Sequence, residues 1–511
     1  MLVSGGISTA FAVNRALAVF GSYTRFDGLI TLLTYAIIGV FAVQALATRA
    51  RAERLVAWLL AGGAIAGAWA TTTAIVASVQ GVAMTAGESA FSFGGLVRAD
   101  GTMGNANLLG IYLAMLLPLA VRAIRRAERT AHRVLAIDCT VAMAIALVLT
   151  FSRSCWVAAA LGVAIALEPH RLRRRRLAIG AAVLACCVVG VLVAGRVSSG
   201  GLSLTSSATT RALAIADIGG GAGGTRLHLW HDSLGIVGDH PLTGGGPDTA
   251  GLTLPAHQTG DWTPGVINDE VHNELLGVAA TRGLFGVAAY LLLLVWLGRL
   301  WWRGRSTTSG AAAILGSWIA YQAALQLNFS WLPMTVMWWL VLAATVRLLD
   351  THDAAPSSAR ASPPHRATAA VMIAAAIAVI AVAGVHAQRL AAADLSYAQS
   401  LDAQASTDIA AAKHSIDNAR ALASYESEYA AQAGDLAYDA HVSRQVDAIA
   451  RSEYTDAVRL GTLYPYVYRR LALLADEFGD RTAAVATARQ AVSLAPFDPA
   501  SRKLLTDLGI N

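Results

Sequence analysis

The sequence predicts an all-α polytopic membrane protein of about ten transmembrane helices, with a long outer loop and a C-terminal α-helical repeat-like domain. Three observations carry that prediction. The 511 residues are 55% hydrophobic and only 14% charged, well below the quarter usual in soluble domains. The apolar residues gather in runs close to the roughly 20 that a bilayer core requires. The arginines gather between those runs, in every second loop, as they do in cytoplasmic loops. A soluble enzyme, a disordered chain, a collagen and a disulfide scaffold are excluded. The four cysteines (Cys139, Cys155, Cys186, Cys187) all lie in apolar stretches and read as small apolar fillers. The net charge of +6 is accounted for by loop arginines, so it is not evidence of a nucleic-acid partner.

In chain order, residues 1–28 form an outer N-terminal segment that lacks the basic region and cleavage site of a secretory signal. Residues 29–195 hold a transmembrane bundle of about six spans, at 29–48, 55–79, 107–121, 134–151, 155–167 and 177–195. Residues 196–283 form the large outer loop: a Gly/Ser/Thr/Ala-rich stretch to 224, then a segment rich in polar residues. The bundle continues over 284–350 with spans at 284–302, 310–327 and 331–347. Residues 351–367 are a Pro/Ser/Ala-rich cytoplasmic linker, 368–387 the last transmembrane helix, and 388–511 an outer helical domain.

Loop charge sets the orientation. Arg49, Arg51 and Arg54 follow the first span; Arg122, Arg125, Arg126, Arg129 and Arg133 the third; Arg171 and Arg173 to Arg176 the fifth. Arg299, Arg303 and Arg305 follow the seventh, and Arg347, Arg360 and Arg366 the ninth. Those loops face the cytoplasm. The loop 80–106, the loop 196–283 and everything after 388 then face outward, and the expected location is the cell (inner) membrane.

The tail is Ala-rich, charged and helical in period. Its stretch from Gly479 to Pro499 resembles the second helix and closing turn of a tetratricopeptide repeat. Weaker echoes lie at Asp456 to Tyr466 and Ala410 to Tyr425, and Pro465 and Pro496 are 31 apart, near that repeat's period. An ordinary Ala-rich hairpin is the plain alternative. A repeat domain of this kind would offer a surface to a protein partner.

Several polar residues require explanation, because charge at membrane depth costs about 3 kcal/mol or more. Arg153, in Leu149-Thr-Phe-Ser-Arg-Ser-Cys155, stands between two apolar runs on the outer side. A lone arginine there ordinarily snorkels from a helix end, yet a fixed guanidinium would also grip a phosphate bidentately. Arg226 opens Thr225-Arg-Leu-His-Leu-Trp-His231, where the linker returns to periodic sequence; a helix N-terminus does not favour a cation, which argues for an anionic partner. His228, His231, His240 and His257 make the loop His-rich, but no HExxH or Cys/His pair accompanies them, so no metal or other cofactor is implied. In Asn268-Asp-Glu-Val-His-Asn-Glu274, His272 falls at the membrane boundary and titrates in the range of a general base. A capping or core histidine is its bland alternative, and Asp269, Glu270 and Glu274 are rival bases. Asn105 and Asn107 in Gly104-Asn-Ala-Asn107 precede the third span, where Asn107 would serve as a helix cap. Gly244 and Gly246 in Pro241-Leu-Thr-Gly-Gly-Gly-Pro247 form a turn that could bring N–H groups to a phosphate.

The order of these motifs resembles the O-antigen ligase and polymerase superfamily of membrane glycosyltransferases. The resemblance spans about residues 21–350, beginning with Gly21-Ser-Tyr-Thr-Arg-Phe-Asp-Gly28. It implies a metal-independent, inverting transfer at the outer membrane face. The donor would be an undecaprenyl-diphosphate-linked glycan, and the acceptor a hydroxyl of another glycan, a lipid or a protein. Position by position it makes His272 the general base, makes Arg153 and Arg226 the holders of the donor diphosphate, and puts Asn105, Asn107, Gly244, Gly246 and Asn273 around the site. The family usually has about twelve spans, with more before the long loop than the six counted here. A start three spans into that bundle would leave residue 1 outside, where the charge rule puts it. The C-terminal tail resembles that of members fused to tetratricopeptide repeats.

Ligase, polymerase and protein O-glycosyltransferase are not separable on these residues. Two other classes stand beside the enzyme: a polyprenyl-glycan transporter, disfavoured because the ionisable residues gather at one face rather than at midplane, and a non-catalytic membrane scaffold presenting the tail.

Overall fold

The computed structural model describes residues 2–23, 25–80, 97–167, 222–261, 268–350, 366–440 and 443–510. Among them the chain is all-α, with no strand. Helices α1 (Leu2–Ala10) and α2 (Arg15–Phe20) precede the apolar helices α3 (Leu29–Ala45), α4 (Arg49–Gln80), α5 (Ala106–Arg126), α6 (Thr130–Leu149) and α7 (Arg153–Leu167). After α8 (Ala222–Asp239) and the one-turn α9 (Ala250–Thr253), the chain returns to apolar helices α10 (Glu274–Gly304), α11 (Ala311–Leu325) and α12 (Leu332–Leu349). Five of these, α4, α5, α6, α10 and α12, are long and apolar enough to cross a membrane, and α3, α7 and α11 are shorter apolar helices. The chain is a multi-pass membrane protein. The expected span at 177–195 and the linker 351–365 lie outside the described residues.

At the centre is α5, whose residues from Leu108 to Ala120 are all buried. It carries Pro118 mid-helix, which neighbouring helices in a bundle accommodate. Beside it, α7 and α11 cross at Gly162 and Gly316, where a Cβ on either glycine would collide with the other's carbonyl oxygen. Small residues at such crossings let helix backbones approach closely. Outward faces stay apolar, with Trp58 74% and Leu292 69% exposed, as lipid-facing side chains should be. The Arg-rich end is tied by the buried Arg122, which grips Glu53 through both terminal nitrogens at 2.7 and 2.6 Å.

Two expected boundaries move. The span expected to begin at 284 begins ten residues earlier, because α10 starts at Glu274 and breaks at Gly283 (φ 60°, ψ −164°). The turn Pro241–Pro247 mends that break. Leu284 and Phe285 donate their N–H groups to the carbonyls of Pro241 (2.9 Å) and Leu242 (3.3 Å), while Gly245 and Gly246 donate to those of Ala280 (2.9 Å) and Thr281 (3.0 Å). Four backbone groups at the kink, the N–H groups of Leu284 and Phe285 and the carbonyls of Ala280 and Thr281, are thereby paired, as a helix broken near a membrane requires. The last expected span, 369–387, is the first half of a 40-residue helix, α13 (Arg366–Ala405), which runs straight into the tail.

The tail continues as α14 (Ile409–Leu422), α15 (Ser427–Ala440), α16 (Arg444–Leu460), α17 (Pro465–Glu477), α18 (Arg481–Leu494) and α19 (Pro499–Asp507). Helices α14 and α18 share a length of 14 residues, an Asp cap (Asp408, Asp480) and an extended Ala at the end (Ala423, Ala495). The tail docks on the N-terminal segment: Phe20 stacks on Tyr425 at 4.6 Å, Tyr23 donates to Asp394 at 3.1 Å, and Asn14 donates to the Arg459 carbonyl at 3.2 Å.

Candidate functional site

The end of the bundle opposite the Arg-rich loops gathers the starts of α5, α7, α10 and α12, the end of α11, and the segments 22–28, 97–105, 240–249 and 268–273. Backbone strain concentrates there. Among the described residues, the non-glycine positions with positive φ are Phe26, Phe151, Asp248, His272 and Thr407, and all but Thr407 lie at this end. Such conformations cost about 1–3 kcal/mol each and cluster where function over-determines the backbone.

His272 has φ 57°, on the approach to α10. Its Nδ1 faces the Glu270 carbonyl at 3.2 Å, which can only accept, so the proton sits on Nδ1 and the lone pair on Nε2. Its ring meets Phe329 edge-on at 5.1 Å, and its own carbonyl accepts from Trp230 of α8 at 3.4 Å. Asn273 caps α10 by accepting from the Leu276 N–H and donates to the Gln326 carbonyl, both at 3.0 Å. The imidazole is thus held by the Glu270 carbonyl and the Phe329 ring, and its backbone by Trp230 and the adjoining Asn273 cap.

Two of the three rival carboxylates, Glu270 and Glu274, have other partners. Glu270 pairs with Arg25 at 2.5 Å, and Glu274 accepts from the N–H and hydroxyl of Ser330 at 3.1 and 3.3 Å. Arg25, 4% exposed, also pairs with Asp248 at 3.3 Å and lies 4.8 Å over the Phe329 ring. Asp248 accepts from the N–H groups of Ser22 and Asp27 at 2.6 and 3.2 Å. Burial pushes the Asp27 carboxyl up to about 7 and that of Glu270 up to about 8; burial works against the Arg25 charge, but Glu270 and Asp248 outweigh it and raise Arg25. Arg25 and the buried Arg282 are outnumbered by the carboxyls of Asp27, Asp248, Glu270 and Glu274, so the cluster is short of positive charge and holds protons near neutrality.

The predicted arginines stand at helix starts. Arg153 is the first residue of α7, two residues after the strained Phe151. The neighbouring Ser154 accepts from Asn328 at 2.9 Å, which joins this turn to the loop bearing Phe329. Arg226 lies in the first turns of α8, within electrostatic reach of the Cys155 thiol of α7. Asn105 caps α5 by accepting from the Asn107 N–H at 2.8 Å. Asn107, expected as that cap, instead accepts from Arg98 at 2.8 Å. Gly244 donates its N–H to the His240 carbonyl and Gly246 donates to that of Thr281, so Gly246 ties the turn to the α10 kink. Of the histidines, His257 faces Asp239 at 3.1 Å and His231 faces Asp232 at 3.3 Å. Among the described residues no trio of His, Cys, Asp or Glu is gathered to hold a metal ion.

Sequence reasoning missed four contributors besides Arg25. Arg98 also donates to the Thr150 carbonyl at 2.7 Å, tying the 97–105 segment to the α6–α7 turn. Asn328 and Phe329 link the arginine side of the site to His272; a polar Asn-Phe-Ser between two apolar runs was the available signal. Arg282, 8% exposed, lines a small pocket with Asp27, Glu274 and Ser330. That pocket adjoins an apolar groove of about 610 Å³ between α3, α10, α11 and α12, walled by Trp296, Trp338 and Trp339.

The described residues thus form a helical membrane bundle with a strained polar cluster at one end. Residues 139–291 match the family model described as O-antigen ligase, so this part of the chain is similar to that family. The matched segment contains Arg153, Arg226 and His272; Arg25, Arg98, Asn105 and Asn107 lie outside it. No curated protein matches the chain.

Proposed function

We propose that the chain transfers a glycan from an undecaprenyl-diphosphate donor to an acceptor hydroxyl at the outer face of the cell membrane, in cell-surface polysaccharide assembly. The observation that carries this is the constrained His272, with its proton directed to the Glu270 carbonyl and its lone pair on the other nitrogen. An imidazole so oriented can take the acceptor's proton as the hydroxyl attacks the sugar C1. Attack opposite the leaving diphosphate inverts the anomeric centre. Charge grows on the leaving oxygens as the C1–O bond breaks, and Arg153 and Arg226 stabilise it through bidentate guanidinium contacts without a metal. The apolar groove beside α10 gives a polyprenyl tail a path that stays in lipid. The C-terminal helices serve as a tetratricopeptide-like platform for a partner or acceptor.

Loss of the gene tests the reading against transport. An enzyme leaves its lipid-linked glycan accumulating on the outer leaflet; accumulation on the inner leaflet would instead mark a flippase and overturn the proposal.

A further inference from the structure

Between the membrane bundle and the C-terminal helices lies a cavity of about 450 Å³, within the range of pockets that enclose drug-sized ligands. Its bundle-side wall includes Asn105, Arg25, Phe329 and Trp331, and its opposite wall includes Glu428 at the start of α15 and Tyr464 just before α17. Phe329 is the same ring that abuts His272, so the cavity adjoins the candidate site.

The opposite wall is fixed in place. Leu463 packs onto Gly251, with room for no Cβ there, and the contacts of Tyr23, Phe20 and Asn14 hold the tail on the N-terminal segment. Tyr464 is within hydrogen-bond reach of Glu428. The lining chemistry is selective. Arg25 is already engaged by Asp248 and Glu270, whereas Asp269 and Glu428 add acidic side chains to the lining. An anionic headgroup or phosphate is therefore disfavoured. Carboxylates accept hydrogen bonds from neighbouring hydroxyls, and aromatic rings offer flat apolar faces with polar tips. Hydroxyl-rich rings with an apolar face fit both.

We propose that this cavity is a saccharide-binding site whose second wall is supplied by the C-terminal domain through Glu428 and Tyr464. The proposal rests on the glycosyltransferase reading for its ligand class. The saccharide is either the acceptor glycan or the glycan part of the donor.

The test uses the full chain in detergent and, as probe, the reducing oligosaccharide released by mild acid from the host cell's lipid-diphosphate pool. In the wild type, millimolar oligosaccharide should slow hydrogen exchange at 427–429 and 461–464. Glu428→Gln and Tyr464→Phe should each weaken binding by about tenfold, the loss expected for a hydrogen bond to a charged group, while the exposed Lys413→Ala binds as wild type. Competition by intact lipid-linked glycan assigns the site to the donor's glycan; simultaneous binding assigns it to the acceptor. Exchange slowed only elsewhere, no slowing at all, or both cavity variants binding as wild type overturns the proposal. Protection without any transfer would sink the transferase reading and leave the cavity standing; transfer without protection would do the reverse.

Discussion

Gly283→Ala is the perturbation whose cost can be worked most fully from the structure. Gly283 adopts φ 60° and ψ −164°, a region essentially reserved for glycine, and a side chain there costs about 1–3 kcal/mol in backbone strain. A Cβ would also collide with the Leu242 carbonyl. That carbonyl belongs to the turn that makes four hydrogen bonds to the broken helix, through Leu284, Phe285, Gly245 and Gly246. Relieving the collision means moving the turn, at about 1 kcal/mol per hydrogen bond weakened. The sum is about 5–7 kcal/mol, or roughly 10–20 °C in thermal midpoint, measured by intrinsic fluorescence on purified protein in detergent. Because the kink aims the first turns of α10, and with them His272, transfer activity should fall as well. Gly298 of the same helix has open space around it, so Gly298→Ala should be neutral or stabilise by about 0.5–1 kcal/mol. A Gly283→Ala protein that melts with the wild type would refute the clamp.

Arg25→Gln leaves Asp248 and Glu270 buried without their cation and should cost roughly 3–5 kcal/mol, read as a lowered midpoint; an unchanged midpoint would mean that the cluster is not structural. The same cluster predicts a pH dependence. Its buried Asp27 and Glu270 keep protons up to about 7 and about 8, whereas unfolded carboxyls lose theirs near pH 4. Their stabilising contribution is therefore complete at low pH and lost as pH rises to about 8. Melting scans from pH 5 to 8 should show the midpoint falling, and Glu270→Gln should flatten the slope. Arg153→Lys and Arg226→Lys keep the charge but lose the fork, so transfer should drop by about tenfold or more, with an unaltered melting midpoint; wild-type rates would remove the arginines from the diphosphate.

The helices were legible because their signal is local: apolar runs fall on α3 to α7 and α10 to α12, of bilayer length on α4, α5, α6, α10 and α12, and arginine spacing separates them. The kink in α10 was not, because nothing within 274–304 marks Gly283 as left-handed. Its partner lies some forty residues earlier, in a segment that the sequence marks only as a Gly-rich turn. Among the site residues, His272, Arg153 and Arg226 stood out as polar groups placed where polarity is costly. Arg25 and Arg98 did not, since an arginine in an outer loop looks solvated until its carboxylate or carbonyl partners, distant in sequence, are brought to it. The tail's place against residues 14–25 was equally hidden, because it depends on single aromatic and hydroxyl contacts such as Tyr23 with Asp394 rather than on any periodic pattern.

The central claim is that His272 removes the acceptor proton in a metal-free transfer. The direct measurement is transfer by purified protein from a lipid-diphosphate donor in the presence of EDTA, comparing wild type with His272→Ala. Wild type should remain active in EDTA, and His272→Ala should lose about 10²- to 10⁴-fold while melting close to wild type. Equal rates in the two proteins, or a wild type silenced by EDTA, would contradict it.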